Sequence, residues 1–396
     1  MSSETELAVV RSLLERFADQ PLREQAHIAV LFFDAIGDFV IITPLLRGLR
    51  EKYPGCAVDY FGGERTRELE ETSPLIDGRF SLYGAVDAVR DLPRFISARE
   101  AVAGPYDLAI NCEFNPVNAL AVAALRPAYV VGDAYLPDLR RQLEPATDRR
   151  SQLAKATWSA PDFLQQYADV VSSTFIGEIF CRMAYVETDF HRTEVPWTPP
   201  PFPTPEVLIS TGASRTAKLW STASWERLVR WCEGRGLSVG LLGDRPSGQQ
   251  TYYHCADTDD YLLQHTGLVD LRGTMTLPQV AGALRQAKAC ATIDNGIMHL
   301  AVGVGTPTLA IFGASSWQLW APQAPHLQLA LPTVGCTLCL EHNYRNVGCL
   351  RDDGHICMES ITPEAAIERL EAMLGLPPSP PATPELDLAS GSANPG

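Results

Sequence analysis

The stretch that decides the fold is residues 27–61, which read HIAVLFFDAIGDFVIITPLLRGLREKYPGCAVDYF. The first seven residues, His27–Phe33, form a continuous apolar run of the kind found in a buried parallel strand. Apolar residues then recur at helical spacing over Phe39–Lys52, and Ala57–Phe61 has the pattern of a second strand. A strand, a loop, a helix and a further strand in this order predict a parallel α/β sheet.

A second α/β unit follows a proline-rich segment, residues 194–206, which reads EVPWTPPPFPTPE and contains six prolines. Proline at this density excludes regular structure and predicts a stiff, extended linker. Beyond it the alternation resumes, with strands predicted at Val207–Ser210, Leu237–Leu242, Leu268–Leu271, Cys290–Ile293 and Thr308–Phe312. The sequence therefore predicts an α/β protein with two doubly wound parallel sheets. Its ligand site is expected in the cleft between them, at the carboxyl ends of the strands.

These patterns divide the chain into an N-terminal domain, a linker, a C-terminal domain and a disordered tail, with bounds 1–195, 196–206, 207–375 and 376–396. The tail is rich in Pro, Ser, Ala and Gly and offers little apolar surface to bury. The first 23 residues space their apolar side chains like an amphipathic helix and lack the apolar region of a signal peptide. No stretch is apolar enough to span a bilayer, so we expect a cytoplasmic protein with at most peripheral membrane contact.

Composition narrows the classes of function. The chain has 396 residues, with 32 Lys and Arg against 47 Asp and Glu, and a net charge of −15. This balance argues against nucleic-acid binding, because phosphate contacts need clustered basic side chains. The length is sufficient for sizeable cores without disulfides. We therefore expect the ten cysteines to be reduced thiols or metal ligands.

The first candidate motif is Asp34–Asp38, DAIGD, in the loop between the first strand and the first helix. Gly37 would allow the backbone to approach a ligand closely. Asp38 has two interpretations. It is either an N-cap that accepts hydrogen bonds from free helix amides, or a general base that deprotonates a hydroxyl nucleophile in the cleft.

The second motif is Thr211–Trp220, TGASRTAKLW, directly after a predicted strand. The small residues Gly212 and Ser214 allow backbone amides to face an anion, and Lys218 can place a positive charge on a phosphate oxygen. The spacing is not that of a P-loop. The alternative is a plain surface loop with a solvated lysine.

The third motif is Asp294–His299, DNGIMH, at the end of a predicted strand. Asp294 or Asn295 can cap the next helix, whose N-terminus would offer amides and a positive dipole end to a diphosphate. Gly296 leaves room for that approach. His299 could contact phosphate or sugar, although a buried structural histidine is the commoner case.

The fourth motif lies in a cysteine-rich segment, residues 336–357, with thiols at Cys336, Cys339, Cys349 and Cys357. A CxxC pair followed by two further thiols fits a tetrahedral metal site. The second pair is not a CxxC, and four reduced thiols that pack a small lobe explain the pattern equally well.

Taken in order, these motifs resemble glycosyltransferase family nine, whose best-known members are bacterial heptosyltransferases. The resemblance covers about residues 27–373, and its most specific part is Asp294–Gly313, which matches the family's "DTGPMHLAAALGTPTVALFG". The other matching segments are Ile36–Asp38, Thr43–Arg50, Tyr53–Pro54, Thr211–Ser214, Lys218–Trp220 with Trp225, and the four cysteines with Met358.

The resemblance implies a two-domain GT-B fold and metal-independent, inverting transfer from a nucleotide-diphosphate sugar, typically ADP-heptose. By position, Asp38 resembles the family's catalytic base and Lys218 the residue that neutralises the diphosphate. The donor-binding residues implied are Gly37, Thr211, Gly212, Ser214, Asp244, Asp294, Asn295, Gly296 and His299. No cofactor is required for catalysis in the family. One branch, which heptosylates autotransporter proteins, carries iron on four cysteines, so a structural iron or zinc ion is compatible with Cys336, Cys339, Cys349 and Cys357.

Some residues depart from the family pattern. Thr211 replaces the usual proline and Asn295 the usual threonine, while Asp244 stands near the place of a glutamate that contacts the donor ribose. The net charge of −15 argues against a phosphorylated lipopolysaccharide acceptor and leaves a small molecule, a protein or another glycolipid open. The alternatives to transfer are a nucleotide-sugar epimerase and a non-catalytic nucleotide-sugar-binding protein.

Overall fold

A computed structural model describes residues 14–85, 87–136, 138–144, 147–245, 253–254 and 256–377. The predictions for most of the tail, for the first 13 residues and for Cys255 lie outside these ranges.

The first sheet, with the helices around it, forms what we call the N-terminal lobe. Its six strands are all parallel and lie in the order β1-β6-β5-β2-β3-β4. The strands are β1 (Glu15–Arg16), β2 (His27–Leu31), β3 (Ala57–Gly63), β4 (Gly78–Tyr83), β5 (Leu108–Asn111) and β6 (Tyr129–Val131). The helices are α1 (Ile36–Lys52), α2 (Arg67–Thr72), α3 (Ala88–Ala103), α4 (Pro116–Leu125), α5 (Arg149–Gln152), α6 (Phe163–Gln166) and α7 (Ile176–Met183).

The second sheet and its helices form the C-terminal lobe. Its strands are also all parallel, in the order β12-β11-β10-β7-β8-β9. They are β7 (Val207–Ser210), β8 (Val239–Leu241), β9 (Val269–Asp270), β10 (Ala289–Ile293), β11 (Thr308–Ile311) and β12 (Leu327–Ala330). The helices are α8 (Thr222–Gly234), α9 (Ala256–His265), α10 (Leu277–Gln286), α11 (Gly296–Gly303), α12 (Trp317–Trp320), α13 (Leu338–Glu341), α14 (Ile356–Glu359) and α15 (Pro363–Leu374).

The predicted fold class is confirmed, since both sheets are parallel and lie on either side of the proline-rich segment. All five residues of β2 are buried, as expected for a strand covered on both faces. Helix α1 begins at Ile36, three residues earlier than predicted. The amphipathic-helix interpretation of the N-terminus is wrong for Glu15–Arg16, which instead pair in parallel with β6.

The proline-rich segment forms no helix or strand between residues 194 and 206. It packs along α10, where the amide of Thr198 donates to the carbonyl of Pro278 over 2.9 Å. The ring of Trp197 also lies 4.8 Å from the guanidinium carbon of Arg285. These contacts fix the segment against the C-terminal lobe. Within the described ranges, no helix combines the length and apolar character needed to cross a bilayer.

Candidate active site

The site lies where the strand order of each sheet reverses. In the N-terminal lobe the chain moves outward from β2 through β3 to β4 and then returns to β5 on the other side of β2. In the C-terminal lobe the same reversal falls between β7 and β10. A crevice opens at such a point because the loops that follow the two central strands turn to opposite faces of the sheet. The first three predicted motifs follow these central strands.

Asp38 is not a helix cap. It lies in the first turn of α1, and the N-cap position belongs to Ala35, whose side chain makes no capping bond. The Asp38 side chain is only partly exposed, at the mouth of the crevice. The capping interpretation is therefore wrong, which leaves the carboxylate free for chemistry.

Burial raises the pKa of Asp38 to about 7. The neighbouring charge of Glu113 acts in the same direction, while Arg65 and Lys218 favour the carboxylate form. Lys218 belongs to the opposite lobe, so groups from both lobes act on Asp38. A carboxylate with a pKa near neutrality is well matched to accept a proton at physiological pH.

Lys218 ends a short 3₁₀ turn, Thr216–Lys218, in the loop after β7. Its Nζ lies 2.6 Å from Oδ2 of Asp294, and both side chains are largely buried. Burial alone would raise the pKa of Asp294, but the charge and hydrogen bond of Lys218 hold it below its usual value. Asp294 therefore holds the Lys218 side chain inside the crevice.

Asn295, rather than Asp294, caps helix α11. Its Oδ1 accepts hydrogen bonds from the amides of Ile297 and Met298, over 3.0 and 3.2 Å. Its Nδ2 donates to Oγ of Ser210 and to the carbonyl of Gly212. The amides of Ile297 and Met298, which the sequence analysis expected to face a diphosphate, thus already donate hydrogen bonds to Asn295. Through its Nδ2, Asn295 also links the loop after β10 to the loop after β7.

The two lobes touch through closely packed glycines. A Cβ atom at Gly37 would lie 2.8 Å from Cδ2 of His299, and one at Gly296 would lie 2.8 Å from Cβ of Ile36. Gly37 thus leaves room for a histidine ring from the other lobe, and its contact with a ligand stays a prediction. The N-terminal ends of α1 and α11 consequently meet across the cleft.

His299 is buried, and burial lowers its pKa to about 4. The imidazole is therefore neutral near pH 7. Its Nδ1 has no hydrogen-bond partner among the described residues. A buried nitrogen without a partner costs about 1–3 kcal/mol, and this one lies at the contact between the lobes.

A cavity of about 470 Å³ runs between the lobes beside this contact. Four of the predicted donor residues line it, namely Gly212, Asp244, Asn295 and Gly296. Asp38, Lys218, Asp294 and His299 form the adjoining charged crevice. Thr211 and Ser214 lie elsewhere: the Thr211 hydroxyl donates to Asp259 in the same lobe, and Ser214 is exposed.

The cavity also contains residues that no motif indicated. An apolar wall is formed by Met275, Leu277, Val280 and Ile297, and basic side chains come from Arg65 and Arg245. Two contacts bridge the lobes at its edge. The amide of Leu277 donates to Oε2 of Glu68 over 2.6 Å, and the guanidinium of Arg65 packs over the ring of Tyr253. An apolar wall, open glycine backbone and arginines suit a nucleotide with its phosphates.

The four cysteines do not form a metal-binding group as arranged. The charges of Cys336, Cys339 and Cys349 all act on the thiol of Cys357, whose pKa is raised mainly by burial, so the four lie near one another. No three Cys, His, Asp or Glu side chains within the described ranges are placed to hold a metal ion. Thiols are suitable ligands for iron or zinc, but this arrangement does not provide the geometry.

The cysteine-rich segment does support the loop that carries Lys218. The carbonyl of Val347 accepts a hydrogen bond from the amide of Ala217 over 3.0 Å. The carbonyl of Asn346 accepts one from Nη1 of Arg215 over 3.1 Å. The Nδ2 of Asn346 in turn donates to Sγ of Cys339 over 3.3 Å. The segment is therefore a structural support of the site.

Comparison with known proteins agrees with this geometry. Residues 172–348 match the family model described as glycosyltransferase family 9 (heptosyltransferase). The chain is 20% identical to lipopolysaccharide heptosyltransferase 3 of Escherichia coli over 293 residues, 72% of this chain and 83% of that protein. It is also similar in structure to the E. coli ADP-heptose lipopolysaccharide heptosyltransferase II, with a TM-score of 0.59, 18% identity and coverage of 88% and 98% of the two chains.

A third similar protein is the iron-containing dodecameric glycosyltransferase TibC of enterotoxigenic E. coli. The TM-score is 0.56 at 16% identity, with coverage of 90% of this chain and 77% of that one. The chain has the fold of a GT-B glycosyltransferase. Over residues 172–348 it resembles glycosyltransferase family 9, the heptosyltransferases.

Proposed function

We propose that the protein transfers a heptose from ADP-heptose to an acceptor hydroxyl, with inversion at the anomeric carbon and without a metal ion. The donor is the one named for the similar heptosyltransferase II. One observation carries the proposal: Asp38 and Lys218 reach the same crevice from opposite lobes, close enough that Lys218 affects the proton affinity of Asp38.

In the proposed step the acceptor oxygen forms a bond to the anomeric carbon as the bond from that carbon to the β-phosphate oxygen breaks. The hydroxyl proton moves to Asp38, and the bonding electron pair leaves with ADP. The acceptor attacks from the face opposite the leaving group, because Asp38 lies on one lobe and the diphosphate on the other. This arrangement produces inversion.

The C-terminal lobe provides the positive charge that the departing diphosphate requires. Lys218 is already held in the crevice by Asp294 at 2.6 Å, so it needs little rearrangement to meet the phosphates. In the donor complex we expect Lys218 to lie between Asp294 and the diphosphate. Nδ1 of His299 has no partner among the described residues, and a donor oxygen or hydroxyl would supply one.

The cavity supports binding of the nucleoside. Met275, Leu277 and Ile297 offer an apolar surface to the base, and Asp244 can accept hydrogen bonds from ribose hydroxyls. We therefore assign the base to the apolar wall and the ribose to Asp244. A structural iron or zinc ion on the four cysteines stays a prediction, which metal analysis of the purified protein and of the quadruple Cys→Ser variant tests.

Calorimetry with ADP, GDP and UDP tests the donor assignment, and we expect ADP to bind most tightly. Failure of all three to bind would contradict the donor site. The anomeric configuration of the product, determined by proton NMR, tests inversion. Turnover that persists after treatment with a chelator would support a metal-independent step, and turnover that is lost and then restored by a divalent metal would contradict it.

A further inference from the structure

A group of side chains beside Asp38 does not line the cavity that we assign to the donor. Strands β2 and β5 are neighbours, with Leu31 paired to Asn111. Phe33 lies two residues after Leu31, and Glu113 lies two residues after Asn111. These residues therefore stand together at the carboxyl edge of the N-terminal sheet, on the same side as Asp38.

Two phenyl rings are exposed at this edge, and each is held in place by a neighbouring aromatic ring. Phe33 is 39% exposed and Phe114 is 37% exposed. The ring of Tyr83 packs edge-on against Phe33 at 5.1 Å, and that of Trp158 against Phe114 at 5.6 Å. The Tyr83 hydroxyl is fixed in turn, since it accepts a hydrogen bond from Nδ2 of Asn115 over 2.7 Å. The rings form a firm apolar surface facing solvent.

The polar groups of this surface are acidic. Burial raises the pKa of Glu113, while the Phe114 amide and the Asn115 side chain stabilise its carboxylate. Within the described ranges, no basic side chain contributes to the shift of this pKa. The nearby cation, Arg65, acts on Asp34 and Asp38 and reaches across to Tyr253. Glu113 can accordingly accept hydrogen bonds from a ligand.

We infer that Phe33, Tyr83, Glu113 and Phe114 form the acceptor subsite, and that it selects an uncharged sugar ring over a phosphorylated one. The inference rests on the proposed function, because Asp38 must face the acceptor hydroxyl. The apolar face of a sugar ring packs well against phenyl rings, and a carboxylate accepts hydrogen bonds from its hydroxyls. A phosphate at this position would lie beside the carboxylates of Asp38 and Glu113. These two groups would repel a phosphorylated sugar and so disfavour its binding.

The test compares a neutral sugar with its phosphate in the presence of saturating ADP. Saturation-transfer NMR would measure the binding of methyl α-D-mannopyranoside and of mannose 6-phosphate to the full-length protein. We expect the phosphate to bind at least about tenfold more weakly than the neutral sugar. Glu113→Lys should abolish or reverse this preference, and Phe114→Ala should weaken the binding of both sugars.

Glu24→Gln and Val102→Ala are matched controls, since both residues are exposed and precede the amino ends of β2 and β5, whereas the subsite follows the carboxyl ends of these strands. Equal or tighter binding of the phosphate by the unaltered protein would overturn the inference. So would the absence of neutral-sugar binding while ADP binds normally, or binding that Phe114→Ala leaves unchanged. Loss of ADP binding itself would instead count against the proposed donor site, so the two failures are distinguishable.

Discussion

The two lobes contribute to the cleft in different ways. The C-terminal lobe supplies two short continuous segments, Thr211–Lys218 and Asp294–His299, which Asn295 fastens together. The N-terminal lobe supplies single side chains from separate strand ends, among them Asp38, Arg65 and Glu113. In the proposed function, the donor groups therefore come mainly from local segments, and the acceptor groups mainly from residues that the topology of the sheet brings together. Five substitutions and a pH profile test this difference between the two lobes.

The largest expected effect is on the C-terminal side, at Lys218→Met. The substitution removes the charge that we assign to the diphosphate and leaves Asp294 buried without its ion pair. Turnover should fall by about 10²–10³-fold, and calorimetry should show weaker ADP binding. Lys288→Met is the control, because Lys288 is exposed and pairs with Glu206 on the surface. Unchanged turnover and ADP affinity in Lys218→Met would contradict the proposal that the C-terminal lobe binds the donor.

On the N-terminal side, the pH profile reports Asp38. Its pKa is raised to about 7, so protons block the base below that pH. We expect kcat/KM to rise about tenfold per pH unit below the inflection and to level off above it. Glu113→Gln removes a negative charge that raises the pKa of Asp38, so the inflection should move to lower pH. An inflection in the same place would show that the two carboxylates do not interact.

The contact between the lobes is tested by Gly37→Ala. The new Cβ would lie 2.8 Å from the ring of His299, so one lobe must shift. We expect the free energy of unfolding to fall by about 1–3 kcal/mol, as measured by urea denaturation. Gly234→Ala is the control, because a Cβ there meets no atom within 4 Å. Equal stability of the two variants would mean that the lobes do not pack tightly at Gly37.

The smallest effect is expected at Asn346→Ala in the cysteine-rich segment. The side chain donates to the carbonyl of Gly348 over 2.8 Å and to the thiol of Cys339. Its loss should loosen the support of the Lys218 loop and cost about 1 kcal/mol of stability. The KM for the donor should rise while kcat changes little. Val334→Ala, at an exposed position two residues before the segment, should change neither, and a donor KM unaffected by Asn346→Ala would contradict the supporting role.

The strands that the sequence predicted are those with continuous apolar runs, such as β2 and β7, all of whose residues are buried. The missed strands β4 and β12 are edge strands in which most residues are only partly buried. An edge strand exposes much of its surface, so its sequence need not be uniformly apolar. These two strands therefore contain no continuous apolar run to recognise.

The same distinction applies to the site. Lys218, Asp294 and Asn295 lie in contiguous motifs, and the structure brings them together as a unit. It gives Asn295 the capping role that the sequence left open between two residues. Glu113 could not be found in this way, because its nearness to Asp38 arises from the pairing of β2 with β5. No local sequence pattern indicates that β2 and β5 are neighbours in the sheet.

The most direct test of the central claim is to measure turnover and ADP affinity together in Asp38→Asn. The substitution keeps the size of the side chain and removes its ability to accept the proton. Turnover should fall by about 10²–10⁴-fold, while the Kd for ADP stays at its original value, because Asp38 is not among the groups that we assign to the nucleotide. Equal losses of turnover and ADP affinity, or turnover that is unchanged, would contradict the account.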